Sequence, residues 1–189
     1  MPIKIFALEG LSMSGKTALC KKLEKKGIKV FYEIKGRNKK KNFLSNQINY
    51  LKENIKIIKK AKRFNNIVLL DRSILSTLSY TYSISKIKNK DYYKIFTKKY
   101  KTELKKYIPD RYIYIKISPK VSLYRRKNKN KSNKFIWSNR EIIKHIYEYY
   151  NLYAYKNRSV YTINGNLSQN IIFKKIIGLI KNETANLSK

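Results

Sequence analysis

Residues 3–26 read IKIFALEGLSMSGKTALCKKLEKK, and this stretch decides the fold. Residues 3–8 form an apolar run of strand length that stops at a glycine. The next segment, Gly10-Leu11-Ser12-Met13-Ser14-Gly15-Lys16-Thr17, satisfies G-x-x-x-x-G-K-[ST] at every fixed position. Beyond it, Leu19 and Leu23 lie four apart, as on one face of a helix over 15–26. A strand, this loop and a helix in that order give the context in which the motif cradles phosphate. Gly10 and Gly15 permit backbone conformations that a side chain would block, so amides approach an anion closely. The helix N-terminus stands behind those amides. Lys16 brings positive charge to the β- and γ-phosphates, and the Thr17 hydroxyl suits Mg²⁺. Ser12, Met13, Ser14 and Ala18 complete the cradle. The implied ligands are ATP and Mg²⁺.

Working outward, strands and helices alternate. Residues 28–32 (IKVFY), 67–70 (IVLL), 112–117 (YIYIKI) and 159–163 (SVYTI) read as further strands. Helices are expected over 43–63, 74–86, 90–107, 119–126 and 138–156, and from Ser168 to about residue 181. Five strands alternating with helices specify an α/β doubly wound fold with a parallel sheet and helices on both faces. We expect a single domain over 1–181, with a basic lid segment near 125–137 and a frayed tail at 182–189.

Composition narrows the class. A chain of 189 residues, 42% hydrophobic, can bury one core. No stretch approaches the roughly 20 apolar residues of a membrane span, and the N-terminus lacks a signal-peptide layout. One cysteine, Cys20, excludes an internal disulfide and points to a cytoplasmic protein. The formal net charge is +34, a field that attracts polyanions. The excess is mostly Lys, accompanied by abundant Asn, Ile and Tyr, which an AT-rich coding sequence favours. That reading ranks ahead of a dedicated nucleic-acid site.

A second cluster follows the third strand: Ile67-Val68-Leu69-Leu70-Asp71-Arg72-Ser73. An acid at the carboxyl end of a buried strand lies beside the ligand crevice of an open α/β sheet. Asp71 can bind Mg²⁺ there with Thr17, and Arg72 can fork onto a phosphate. The structural alternative is that Asp71 caps the next helix and Arg72 pairs with it.

The segments FALEGLSMSGKTALCKKL, LLDRSILSTLSYTYS and PDRYIYIKISPKVSLYRR resemble the thymidylate kinase and deoxynucleoside kinase group. VYTINGNLSQNIIFKKI matches that group's last strand-turn-helix, so the resemblance covers most of the chain. It implies ATP-dependent phosphoryl transfer to a nucleoside or nucleoside monophosphate, and a homodimer by analogy. Asp71 and Arg72 fill the acid-Arg motif, the arginine near the acceptor. Glu33 stands where the nucleoside kinases carry a general base for the 5′-hydroxyl. Arg125, Arg126 and the basic run to Lys131 match the arginine-rich lid. Two departures bear on the acceptor. Ser12 replaces the sugar-contacting Asp of the thymidylate kinases, and Ile34-Lys35-Gly36 replaces their Pro-Gly-Gly.

In transfer to a hydroxyl, Glu33 is the candidate base. In transfer to a phosphate, Arg72 with Arg37 would bind it. Glu33 reads equally well as a solvated loop carboxylate. Tyr80, Tyr82 and Trp137 are aromatic enough to stack on a base, but with 17 tyrosines packing is the plainer role. His145 reads as structural. Two rivals stand beside the nucleoside or nucleotide kinase: a kinase of another small-molecule hydroxyl, and a nucleic-acid-associated ATPase motivated by the charge.

Overall fold

The first apolar run forms β1 (Ile5–Glu9), and all five of its residues are buried. In this computed structural model, residues 5–33, 42–128 and 136–185 are described. After β1 come α1 (Lys16–Glu24), β2 (Lys29–Phe31), α2 (Phe43–Ala61), β3 (Val68–Asp71) and α3 (Ile74–Lys88). Then follow α4 (Tyr92–Lys99), α5 (Lys101–Lys106), β4 (Arg111–Lys116), α6 (Pro119–Lys127) and a 3-10 turn at Ile136–Ser138. The chain finishes with α7 (Arg140–Lys156), β5 (Val160–Asn164) and α8 (Gln169–Ala185). The sheet is parallel throughout, in the order β2-β3-β1-β4-β5.

Strand side chains alternate between two cores, as the two-residue period requires. Ile5, Ala7, Val68, Leu70, Tyr112 and Tyr114 pack beneath α2, α3 and α7. Phe6, Leu8, Leu69, Ile113 and Ile115 pack against α1 and α8, where they meet Leu19, Leu23, Ile172 and Ile176. Both faces are covered, which is why these strands read as unbroken apolar runs. Full burial of a side chain such as Phe6 contributes roughly 1.5–3 kcal/mol.

The register sets the site. Leu8 pairs with Asp71 and Glu9 with Tyr114, so the carboxyl ends of β1 and β3 open on one edge. That edge, with β1 flanked on both sides, is the switch-point crevice of an open sheet.

Side-chain caps open α6 and α7. The Asn139 side chain accepts from Ile142 N (3.1 Å) and opens α7, which leaves Ser138 outside the helix. Ser118 caps α6 with Pro119 in the first turn. Two boundaries differ most from expectation. The helix expected over 90–107 breaks at Tyr100, whose φ of −112° is not helical, while its ring packs on Phe96. α8 runs to Ala185 because Ile176 and Ile180 keep its inner face in the core. The loop at 34–41, with Arg37, and the basic run at 129–135 lie outside the described residues. Among the described residues, no helix is long and apolar enough to cross a membrane.

Candidate active site

The loop between β1 and α1 turns through left-handed backbone at Gly10 (φ 141°), Met13 (64°) and Gly15 (92°). A Cβ on Gly10 would lie 2.5 Å from the carbonyl oxygen of Ile115, so the neighbouring strand also requires glycine there. Lys16 folds back over this loop. Its Nζ donates to Gly10 O (2.9 Å), Leu11 O (2.8 Å) and Ser14 Oγ (3.0 Å). Burial, and then the like charge of Arg72, push its pKa down to about 7 against the pull of Asp71, Glu9 and Glu33.

Thr17 Oγ1 donates to Asp71 Oδ2 (2.8 Å), which joins the first turn of α1 to the end of β3. The other oxygen, Asp71 Oδ1, is buried without a hydrogen-bond partner. A hydroxyl and an unsatisfied carboxylate oxygen side by side are a hard-oxygen donor set that fits Mg²⁺. Asp71 does not cap α3. Ser73 does, accepting from Leu75 N (3.2 Å).

Nor does Arg72 pair with its neighbour Asp71. Its backbone is left-handed (φ 75°), and its Nε lies 3.1 Å from Glu33 Oε2. NH1 donates to Ser76 Oγ (3.0 Å) and Gly10 O (3.2 Å), and the guanidinium lies over the Trp137 ring. Burial works against the charge of Arg72, while Glu33, Tyr150, Glu9 and Asp71 favour it, and the net shift is upward.

Arg125 and Arg126, adjacent on α6, diverge as the helical period demands. Arg125 donates to Gly165 O (3.2 Å) and, at a longer 3.5 Å, to Met13 O. Arg126 turns inward, with Nε on Ser138 Oγ (3.0 Å) and NH1 3.5 Å from Ser12 Oγ. Ser122 Oγ donates to Ser12 O (2.7 Å), so α6 rests on the phosphate loop.

These groups surround a cavity of about 830 Å³. The loop residues Gly15, Lys16, Thr17 and Ala18 line it with Arg125, Asn128, Gly165, Leu167 and Gln169. Glu33, Asp71, Arg72 and Trp137 line it as well. A second space of about 40 Å³ continues past them between Tyr32, Tyr50, Asn54 and Thr77. The structure thus brings Lys16, Thr17, Glu33, Asp71, Arg72 and Arg125 to one cavity. Arg126 is not among the lining residues and reaches the loop through Ser12.

Sequence reasoning passed over two residues. Glu9 is fully buried behind the loop and accepts four hydrogen bonds, from Ser73 N and Oγ, Ser76 Oγ and Tyr150 OH. Burial raises its pKa, with Arg72 and the hydrogen bonds opposing. Its only signal was an acid immediately before Gly10, at the end of a strand otherwise apolar. Gln169 lines the cavity beside Gly15 with its Oε1 buried and unpartnered, and nothing in the sequence separated it from a helix-start glutamine. Cys20 is buried in α1, where burial pushes its thiol pKa up and leaves it inert.

A family model described as thymidylate kinase matches residues 34–176, a span that includes Asp71, Arg72, Arg125 and Arg126 and begins just beyond Glu33. No curated protein sequence matches the chain. Among solved structures, the deoxyadenosine kinase of M. mycoides with bound dATP superposes with a TM-score of 0.79 at 21% identity, covering 94% of this chain and 99% of that one. The same enzyme with dCMP and a flexible dCDP gives 0.74 at 22% identity, over 96% and 99%. With bound dCTP it gives 0.70 at 19% identity, over 94% and 99%. At these identities the likeness shows the fold. With the family match across most of its length, the chain belongs to the thymidylate kinase family and is an ATP-dependent nucleoside or nucleotide kinase.

Proposed function

We propose that the protein transfers the γ-phosphoryl group of ATP to the 5′-hydroxyl of a deoxynucleoside. The ion pair between Arg72 Nε and Glu33 Oε2 carries this reading. Glu33 and Arg72 both line the small inner space and neutralise each other there, so a phosphate dianion has to displace Glu33 from the guanidinium whereas a neutral hydroxyl does not. Arg72, already engaged by Glu33, is poorly placed to serve as a phosphate clamp.

In this reading ATP lies along the large cavity, its phosphates on the loop amides and Lys16 and its base between Arg125 and Gln169. Thr17 and Asp71 would hold Mg²⁺, which would neutralise phosphate charge there. The acceptor oxygen attacks the γ-phosphorus, the bond to the β,γ-bridging oxygen breaks, and ADP leaves with that oxygen. The hydroxyl proton passes to the Glu33 carboxylate. Arg125 steadies the developing charge, and Arg126 holds α6 on the loop through Ser12.

A nucleoside monophosphate acceptor is the second reading, favoured by the description of the matching family. The two diverge at Glu33. In the Glu33→Gln variant, we expect kcat with a nucleoside to fall roughly 100-fold or more while the KM for ATP stays put. Full turnover by that variant removes the base and favours the monophosphate.

A further inference from the structure

We propose that Glu9 is the positioning residue that holds Arg72 in place and ties it to the phosphate loop. The proposal rests on the reading of Arg72 as an acceptor-side residue. The backbone of Arg72 sits in the left-handed region, which residues with side chains adopt only when their surroundings enforce it. Glu9 and its strand supply that enforcement. Arg72 N donates to Leu8 O (3.1 Å), and the next amide, Ser73 N, donates to Glu9 Oε1 (2.8 Å) together with Ser73 Oγ (2.7 Å). The turn is therefore pinned on both sides of its strained residue.

The side chain of Arg72 is held by the same carboxylate at one remove. Arg72 NH1 donates to Ser76 Oγ, and Ser76 Oγ donates to Glu9 Oε2 (2.6 Å), where Tyr150 OH also donates (2.8 Å). Arg72 NH1 also reaches Gly10 O, the carbonyl that Lys16 Nζ holds. Glu9 and Gly10 are consecutive, so one short stretch of β1 and its turn contacts both the acceptor arginine and the donor lysine. A buried carboxylate needs a compensating cation, and the charges facing Glu9 are those of Arg72 and Lys16. Hydroxyl partners alone would be satisfied by a neutral amide.

The test is a double-mutant cycle of Glu9→Gln and Arg72→Gln, read as kcat/KM for the acceptor and KM for ATP. The probes are an equimolar mixture of the common deoxynucleosides and, in parallel, their 5′-monophosphates, so the outcome does not depend on which one is phosphorylated. Glutamine keeps the shape of Glu9 and two of its acceptor contacts while removing the charge. We expect Glu9→Gln to lower kcat/KM for the acceptor about tenfold, the scale of a lost charged hydrogen bond, with the KM for ATP within about twofold. On top of Arg72→Gln it lowers kcat/KM no further. Losses that multiply, or a KM for ATP that rises as much as the acceptor's, overturn the proposal. If Arg72→Gln alone leaves the acceptor kinetics intact, the acceptor reading of Arg72 fails first, and the inference with it. Should Glu9→Gln fold poorly, Ser76→Ala breaks the Arg72–Ser76–Glu9 link and leaves the charge in place. Its predicted effect is smaller, confined to the acceptor, and absent in the Arg72→Gln background; an equal loss in that background overturns the proposal.

Discussion

Lys16 shows how a single residue couples stability, protonation and ligand. Desolvated beneath the loop and facing the like charge of Arg72, its ammonium is disfavoured, so its pKa falls from 10.5 to about 7. The unfolded chain then binds more protons than the folded one between those two values. The contribution of Lys16 to stability therefore rises with pH across that window and is least favourable below it. The phosphates of ATP restore the charge. Binding of Mg-ATP should take up a proton on Lys16 at about pH 8.5 and none on it at about pH 6. Calorimetric titration in two buffers of different ionisation enthalpy measures this, and Lys16→Met should abolish the difference between the two pH values. Equal uptake at both pH values in the unsubstituted protein contradicts it. Lys16 and Thr17 were legible because their motif is contiguous. Glu9 was not, because its partners Ser73, Ser76 and Tyr150 lie 64, 67 and 141 residues away. Tyr150 was moreover one tyrosine among 17.

Among the elements, the strands were the most readable. Burial on both faces makes β1, β3 and β4 read as apolar runs of strand length. The break at Tyr100 was not readable, since neither Pro nor Gly marks it and the cluster of Leu51 and Ile74 against which Tyr100 packs is tertiary. Two glycine turns allow a direct comparison. Gly10 and Gly27 both have positive φ, but a Cβ at Gly27 meets nothing within 4 Å, while at Gly10 it meets backbone at 2.5 Å. Gly27→Ala should cost only about 1–2 kcal/mol of conformational strain. Gly10→Ala adds a clash with β4 and should cost at least about 3 kcal/mol, with loss of ATP binding. Denaturant midpoints of the two variants check the order. Equal losses would mean that β4 yields at Ile115.

For the whole molecule, the formal charge of +34 was the loudest signal in the composition and the least informative about the site. Lysines occur in the last turns of α1 to α5, on elements that face different directions, rather than along one surface. The informative charges are few: the buried Glu9, Lys16 and Asp71 and the half-buried Arg72, gathered where β1 and β3 end. Their placement follows from strand register, a property of the assembled sheet that no local stretch of sequence contains. The acceptor was illegible for the same reason, since Glu33 and Arg72 meet only once β2 pairs with β3. The most direct test offers γ-labelled ATP and Mg²⁺ to the purified protein with deoxynucleosides, with their 5′-monophosphates, and with single-stranded DNA, and identifies the labelled product. The account predicts label on nucleoside 5′-monophosphates, formed equally well with or without DNA. Label found only on diphosphates, or ATP consumed only when DNA is present, would contradict it.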